Sequence, residues 1–281
     1  MTNINNSTIG TGMLPTIYSQ KVLVEFDKSV KLNQIVDFSF SSDLVYGTTV
    51  RVPTLASLTT VSKVAGTKLT PIANNESYTD IVVNKFETVP LMIEEISVLQ
   101  SQINLLDKYA TASAQAIARK FDADIAAEYV NAGATVNATA GLTVAKVSEL
   151  RLTFDEANTP EDGNDFLVLS PKALSQLKAD MRALNYAVGT LTEDLIKMGV
   201  VAEVEGFKVI KSNQVVKTTV DTTTTHHNFA CHKSAIAAIV QKDVTVTMQF
   251  ENLDQATSLV TKKIYGIKTV RPEALIELTT V

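Results

Sequence analysis

The sequence predicts an α+β fold, and three stretches predict it. From Asn104 to Asn131 no Gly or Pro interrupts the chain, and apolar residues recur at Leu106, Ala110, Ala114, Ile117, Phe121 and Ile125. Steps of three or four keep one face of a 3.6-residue helix apolar. From Gly47 to Met92 the chain is β-type, rich in Thr and Val and almost without helical period. At Phe166–Leu169 a short apolar run leads through Ser170-Pro171 into Leu174, Leu177 and Met181. That is a buried strand feeding a helix, with Ser as N-cap and Pro in the first turn.

Composition narrows the class. A chain of 281 residues, 45% apolar and 20% charged, is long enough for one large or two modest domains. Twenty-five basic against thirty acidic residues give a net charge of −5, and no Lys/Arg cluster interrupts the balance. A nucleic-acid-reading surface would need a basic patch. The one cysteine, Cys231, allows no intrachain disulfide and suits a reducing, cytosolic site of synthesis. The opening MTNINNSTIGTGM has no basic region followed by an apolar core, so no secretion signal is expected. No run of about eighteen apolar residues predicts a membrane-spanning helix.

In chain order, residues 1–12 read as a polar, flexible arm. Pro15 to Asp27 turns helical, with Ile17, Val22 and Val24 as its apolar residues, and Leu32 to Phe40 reads as irregular or extended. In the β segment, Val50 and Val52 flank Arg51, and Asn74-Asn75 turns the chain into a strand from Ser77 to Val89. There Ile81 and Val83 share one face, with Val82 and Phe86 on the other. This arm is thin in large apolar residues and cannot bury much on its own domain, so it packs on the long helix or on another copy.

Leu91 to Gln102 reads as a short helix opened by Glu94 and Glu95, where the helix dipole favours acids. For the long helix, Asn104 and Asp107 form a variant capping box, and Asn131-Ala132-Gly133 is a stop signal. Its alanines, from Ala110 to Ala118, permit close approach of other backbones. Thr143 to Ala157 is helical with Val144, Val147, Leu150 and Phe154 on its apolar face, and Asp162-Gly163-Asn164 turns. A further helix is expected over Leu191 to Met198. Val201 to Lys211 forms a hairpin at Glu205-Gly206, with Phe207, Val209 and Ile210 pointing inward. Thr218 to Thr225 reads as a Thr-rich loop around Asp221. Asn228 to Val240 holds a strand and an apolar stretch, and Val244 to Phe250 alternates apolar and polar residues. Leu259 to Val270 and Ala274 to Thr279 are closing strands separated by Arg271-Pro272-Glu273.

No constellation of reactive side chains stands out, so no catalytic, cofactor-binding or metal residues are assigned. His226, His227, Cys231 and His232 offer four potential zinc ligands close together, but adjacent side chains diverge in extended chain. They read as solvated loop histidines, and Cys231 as a small buried apolar residue. Asp122, Asp124 and Glu128 on the long helix, with Arg119 and Lys120 beside them, read as a solvated, salt-bridged face. There is no GxGxxG, P-loop or GxSxG pattern.

Taken together, several segments resemble the major capsid proteins of tailed phages, with the Hong Kong 97-type fold. Gly47-Thr-Thr-Val-Arg-Val-Pro53 is similar to the strand entering that family's extended loop. Asn104-Leu-Leu-Asp-Lys-Tyr109 through Ile125-Ala-Ala127 is similar to its spine helix. Phe166-Leu-Val-Leu-Ser-Pro-Lys172 resembles the central strand and helix start of its axial domain, and Glu205-Gly-Phe-Lys-Val-Ile-Lys-Ser-Asn213 the hairpin that follows. Tyr265-Gly-Ile-Lys-Thr-Val-Arg-Pro-Glu-Ala274 resembles its closing strand.

The resemblance implies an N-terminal arm and helix over 1–40, an extended β-hairpin loop over 41–92 and a spine helix of the peripheral domain over 93–141. It implies an axial α/β domain over 142–240, with peripheral strands and the last strand returning to the axial domain over 241–281. The implied function is self-assembly through hexamers and pentamers into an icosahedral shell around double-stranded DNA, without sequence recognition. No cofactor is implied. The implied partners are the chain itself, a separate scaffolding protein and a portal, and the implied location is the virion capsid after assembly in the host cytoplasm. The helix expected near residue 14 leaves no room for the scaffolding segment of the best-known member. Lys63 and Lys68 lie on the loop, but no Asn or activating acid is identified for the covalent crosslinks known in part of the family. Two alternatives are an encapsulin-like compartment, distinguished by protein cargo, and a small α/β enzyme, distinguished by a pocket of convergent polar groups.

Overall fold

A computed structural model describes residues 31–44, 46–54, 60–69, 76–100, 105–160, 162–183, 203–221 and 223–281. The expected helices over Pro15–Asp27 and Leu191–Met198 and the Asn104 cap lie outside them. The described strands are β1 (Thr49–Thr54), β2 (Ser77–Val82), β3 (Lys85–Glu94), β4 (Ala134–Ala138), β5 (Asp165–Leu169) and β6 (Glu203–Val204). They continue with β7 (Phe207–Lys211), β8 (Val216–Val220), β9 (Thr223–His232), β10 (Ile236–Glu251), β11 (Ala256–Thr269) and β12 (Leu275–Thr280). The helices are α1 (Glu95–Gln100), α2 (Leu105–Ala127), α3 (Val144–Glu156) and α4 (Pro171–Ala183).

The largest sheet has seven strands in the order β4-β12-β9-β5-β7-β6, with β8 paired to β9. β5 runs parallel to β7 and antiparallel to β9. Its five residues are all buried because the sheet is covered on both faces. Leu167 and Leu169 pack with Val147, Leu150 and Phe154 of α3 and Leu174, Leu177 and Met181 of α4. Phe166 and Val168 pack on the opposite side with Phe121 and Ile125 of α2, Phe229 and Tyr265. Each fully buried Phe or Leu contributes about 1.5–3 kcal/mol. Local chemistry fixes the helix starts: Thr143 Oγ1 accepts from the Lys146 amide, and Ser170 Oγ accepts from the Ala173 amide at 3.2 Å.

A second sheet, β10-β11-β3, is antiparallel. α2 lies against β11 and β3, with Ser113 Oγ 2.6 Å from Thr261 Oγ1. Further along, its Phe121, Ile125 and Ala126 enter the core beneath the seven-stranded sheet. The helix therefore joins both sheets, as its length of roughly 35 Å permits. β10 is one strand that starts buried at Ile236–Ile239 and runs out to exposed Met248 and Phe250. Its register with β11 shifts between Val240 and Thr245.

Several local expectations are corrected. Leu91–Glu94 is strand, because this segment pairs with Ala256–Leu259 of β11; the helix begins only at Glu95. The long β stretch from Ser77 breaks at Val83-Asn84, where it passes from β1 to β11. Leu32–Ile35 and Ser39–Asp43 form 3-10 turns, and Leu32 and Ile35 are fully buried beside α2. Thr218–Thr225 is a hairpin, with β8 and β9 meeting at Asp221, whose φ is +53°. Gly133 also differs in role: a Cβ there would lie 2.6 Å from the Pro272 carbonyl oxygen, so it serves close backbone contact. The Gly133 amide donates to that oxygen at 2.9 Å.

Candidate assembly surfaces

The extended arm is built from β1 and β2, paired from Thr49↔Val82 to Thr54↔Ser77. Its base is anchored. Ile81 and Val83 are buried with Leu44, Ala237 and Ile239, and Val50 and Val52 pack against them. Val82 and Phe86 face outward, as the alternation predicts. Thus the base packs on β10 and β11 of its own chain rather than on the long helix. Gly266 of β11 permits this, because any Cβ there would run into the Val82 backbone. Beyond the base the arm is bare: all of Thr60–Leu69 is exposed, including Val61, Val64 and Leu69. On its surface Arg51 makes a two-pronged ion pair with Asp80 and lies 3.9 Å over the Tyr78 ring.

The second surface is the outer half of the peripheral sheet. Val244, Val246, Met248 and Phe250 share a face of β10 and are all exposed, as are Met92, Ile96, Leu99 and Leu253 near the β10–β11 turn. A contiguous apolar stripe along a strand edge is a surface made to be covered. Glu94, Glu95 and Asp254 line a groove there with Ile96 and Leu99.

The residues weighed for chemistry have other partners. The three histidines lie on β9 rather than on a loop, and two are buried. His227 Nδ1 is 2.6 Å from Glu277 Oε1, and its ring stacks on Tyr129. His226 projects to the other face, so the neighbours diverge as extended chain requires. His232 Nε2 meets Asp162 Oδ1 at 3.0 Å, and its Nδ1 accepts from Ser234. This places Ser, His and Asp in line, a relation invisible in sequence because Asp162 comes from a distant turn. The Ser234 amide also donates to Nδ1, so the group closes the turn after β9. Cys231 is fully buried, and burial pushes its thiol well above the usual range. Among the described residues no group of three or more His, Cys, Asp or Glu is arranged to hold a metal.

The carboxylates of α2 are not a solvated face. Asp122 is buried and accepts from the Lys31 and Leu32 amides at 2.7 and 3.2 Å, while burial raises its pKa. Asp124 does pair with Lys120, as expected, and also takes Lys85 and Tyr265 Oη at 3.0 and 2.7 Å. Despite its burial, those three partners hold the Asp124 carboxyl below its usual value. Glu128 accepts from the amide and hydroxyl of Thr269. These side chains tie α2 to the entering chain and to β3 and β11.

A spine helix that joins a peripheral sheet to an axial α/β layer, with a β arm projecting from it, defines a subunit of the Hong Kong 97-type capsid fold. Solved structures similar over nearly the whole chain include one from Mycobacterium phage Che8, at 19% identity and TM-score 0.80, covering 96% of this chain and 98% of that one. The head structure of Helicobacter pylori bacteriophage KHP40 matches at 12% identity and TM-score 0.78, with 99% of both chains covered. The capsid of the cyanophage P-SCSP1u matches at 18% identity and TM-score 0.78, covering 99% of this chain and 97% of that one. No curated protein matches by sequence. Residues 92–278 match the phage capsid protein family, and the chain belongs to that family. It is thus a phage capsid protein, a structural protein of the virion shell.

Proposed function

We propose that this chain builds its shell through hexamers and pentamers of itself, with the arm of each copy lying over a neighbouring subunit. The observation that carries this is the arm: its base is packed into its own subunit while Thr60–Leu69, with Val61, Val64 and Leu69, is wholly exposed. In this reading residues 142–240 and β12 gather as the axial domain around the five-fold and six-fold axes. The spine helix and the β10-β11-β3 sheet form the peripheral domain. About 800 Å² per partner is a standard stable contact, and a shell subunit has several neighbours. The partners would be a separate scaffolding protein and a portal, with assembly in the host cytoplasm. Double-stranded DNA would be enclosed without sequence recognition, consistent with the net charge of −5. The shell role assigns no catalytic step to the chain.

The test is deletion of residues 59–79 followed by circular dichroism, size exclusion and negative-stain electron microscopy. A folded subunit that no longer forms rings or shells is the expected result. Loss of the fold itself would show that the arm belongs to the subunit core, and unimpaired assembly would remove the arm from the contacts.

A further inference from the structure

β9 changes partners along its length. From Phe229 to His232 it pairs with β5, and from Thr223 to His227 with β8, while β12 runs along its other side. Asn228 and His226 sit at this fork, on the same face of the strand. Asn228 is fully engaged. Its Oδ1 accepts from the Ser170 amide at 2.6 Å, and its Nδ2 donates to the oxygens of His226, Leu278 and Thr280. His226 is different: it is 6% exposed, and its buried Nδ1 has no hydrogen-bond partner.

The charged side chains that bear on His226 all have one sign. β8 contributes Lys217, its direct cross-strand neighbour, and α4 contributes Lys172 in its first turn; His227 follows in the chain. β12 places uncharged Thr280 opposite, and beyond it the main-chain carboxylate of Val281, held by Gln176 Nε2 at 3.4 Å. β5 ends beside the fork in Leu169-Ser170, also uncharged. By contrast, a proton on His227 would meet Glu277, and one on His232 would meet Asp162.

We propose that His226 is an acid-operated latch: its protonation loosens the β8–β9 hairpin, Val216–His227, from the seven-stranded sheet. A cation there would be buried, unpaired and faced by two lysines, and opening the hairpin returns it to water. Burial, and then the two lysines, hold the imidazole below its ordinary value. The folded state therefore keeps His226 neutral where the unfolded chain already takes up a proton, near pH 6.5. Stability present above about pH 6.5 falls as the pH drops toward the folded value, and levels off below it. The hairpin opens first because His226 sits where β9 has already left β5.

Hydrogen exchange by mass spectrometry on the purified, unassembled full chain tests this, at about pH 7.5 and about pH 5.5 with intrinsic rates corrected. In the native protein, amides of residues 216–227 are expected to lose protection at the lower pH, by up to about tenfold, the most that one pH unit below the ordinary imidazole value allows. In His226→Gln the loss is expected to vanish, while His232→Gln retains it. Equal protection at both pH values, or an equal acid response in His226→Gln, would overturn the proposal. Should His226→Gln not fold, the imidazole carbon resonance of His226 in the native chain decides. A titration midpoint clearly below about 6.5 supports the latch, and one at or above it rejects the latch.

Discussion

The axial sheet and the extended arm are both β-structure, yet they solve opposite problems. In the sheet, Leu167 and Val168 are buried from opposite sides, and every large apolar residue of β5 finds a partner within the chain. Among the described residues of the arm only Ile81 and Val83 are buried; Val61, Val64, Leu69, Tyr78 and Val82 are open to water. The difference teaches that the subunit folds on one body and offers the other. Stability and assembly should therefore separate by mutation.

The strongest way to break that comparison is to strike the spine that serves both sheets. Ile117→Asp puts an unpaired carboxylate at a site 2% exposed, and loss of the folded subunit is expected, read as an absent cooperative melt. Phe154→Ala removes a ring in edge contact with Phe207, 5.2 Å between centroids, and is expected to cost about 3–5 kcal/mol by chemical denaturation. Gly266→Val forces a side chain against the Val82 backbone, where the arm crosses β11. A cost of about 1–3 kcal/mol is expected, with faster hydrogen exchange in β1 and β2 than in β5. Should β5 loosen equally, the arm base and the axial core would be one cooperative unit. The smallest effect is expected for Arg51→Ala: the Arg51–Asp80 pair lies on the open surface, and the melting temperature should stay unchanged.

How far the sequence could be read follows the same division. The spine was legible because Ile117, Phe121 and Ile125 keep helical spacing, and all three are buried. β5 was legible because a run of four apolar residues between turns suits a strand covered on both faces. Leu91–Glu94 read as helix because Glu94 and Glu95 suit a first helical turn; pairing with β11, a long-range contact, made it strand. The carboxylates of α2 were misread for the same reason: the Lys31 amide and Tyr265 come from far along the chain. The hairpin at Asp221 was hidden because threonines suit both a strand and a loop. Exposure of Val244–Phe250 was not legible at all, since alternation predicts two faces but not which of them is covered.

The course of β10 has a mechanical consequence. A single hydrogen-bonded ribbon starts inside the core at Ile236 and ends at the exposed tip near Glu251, about 50 Å away at strand rise. Load applied to that tip travels along the ribbon to the core. The ladder slips between Val240 and Thr245, and irregular pairing of this kind bends a strand. The subunit thus sets a bend between a clamped end and a free end.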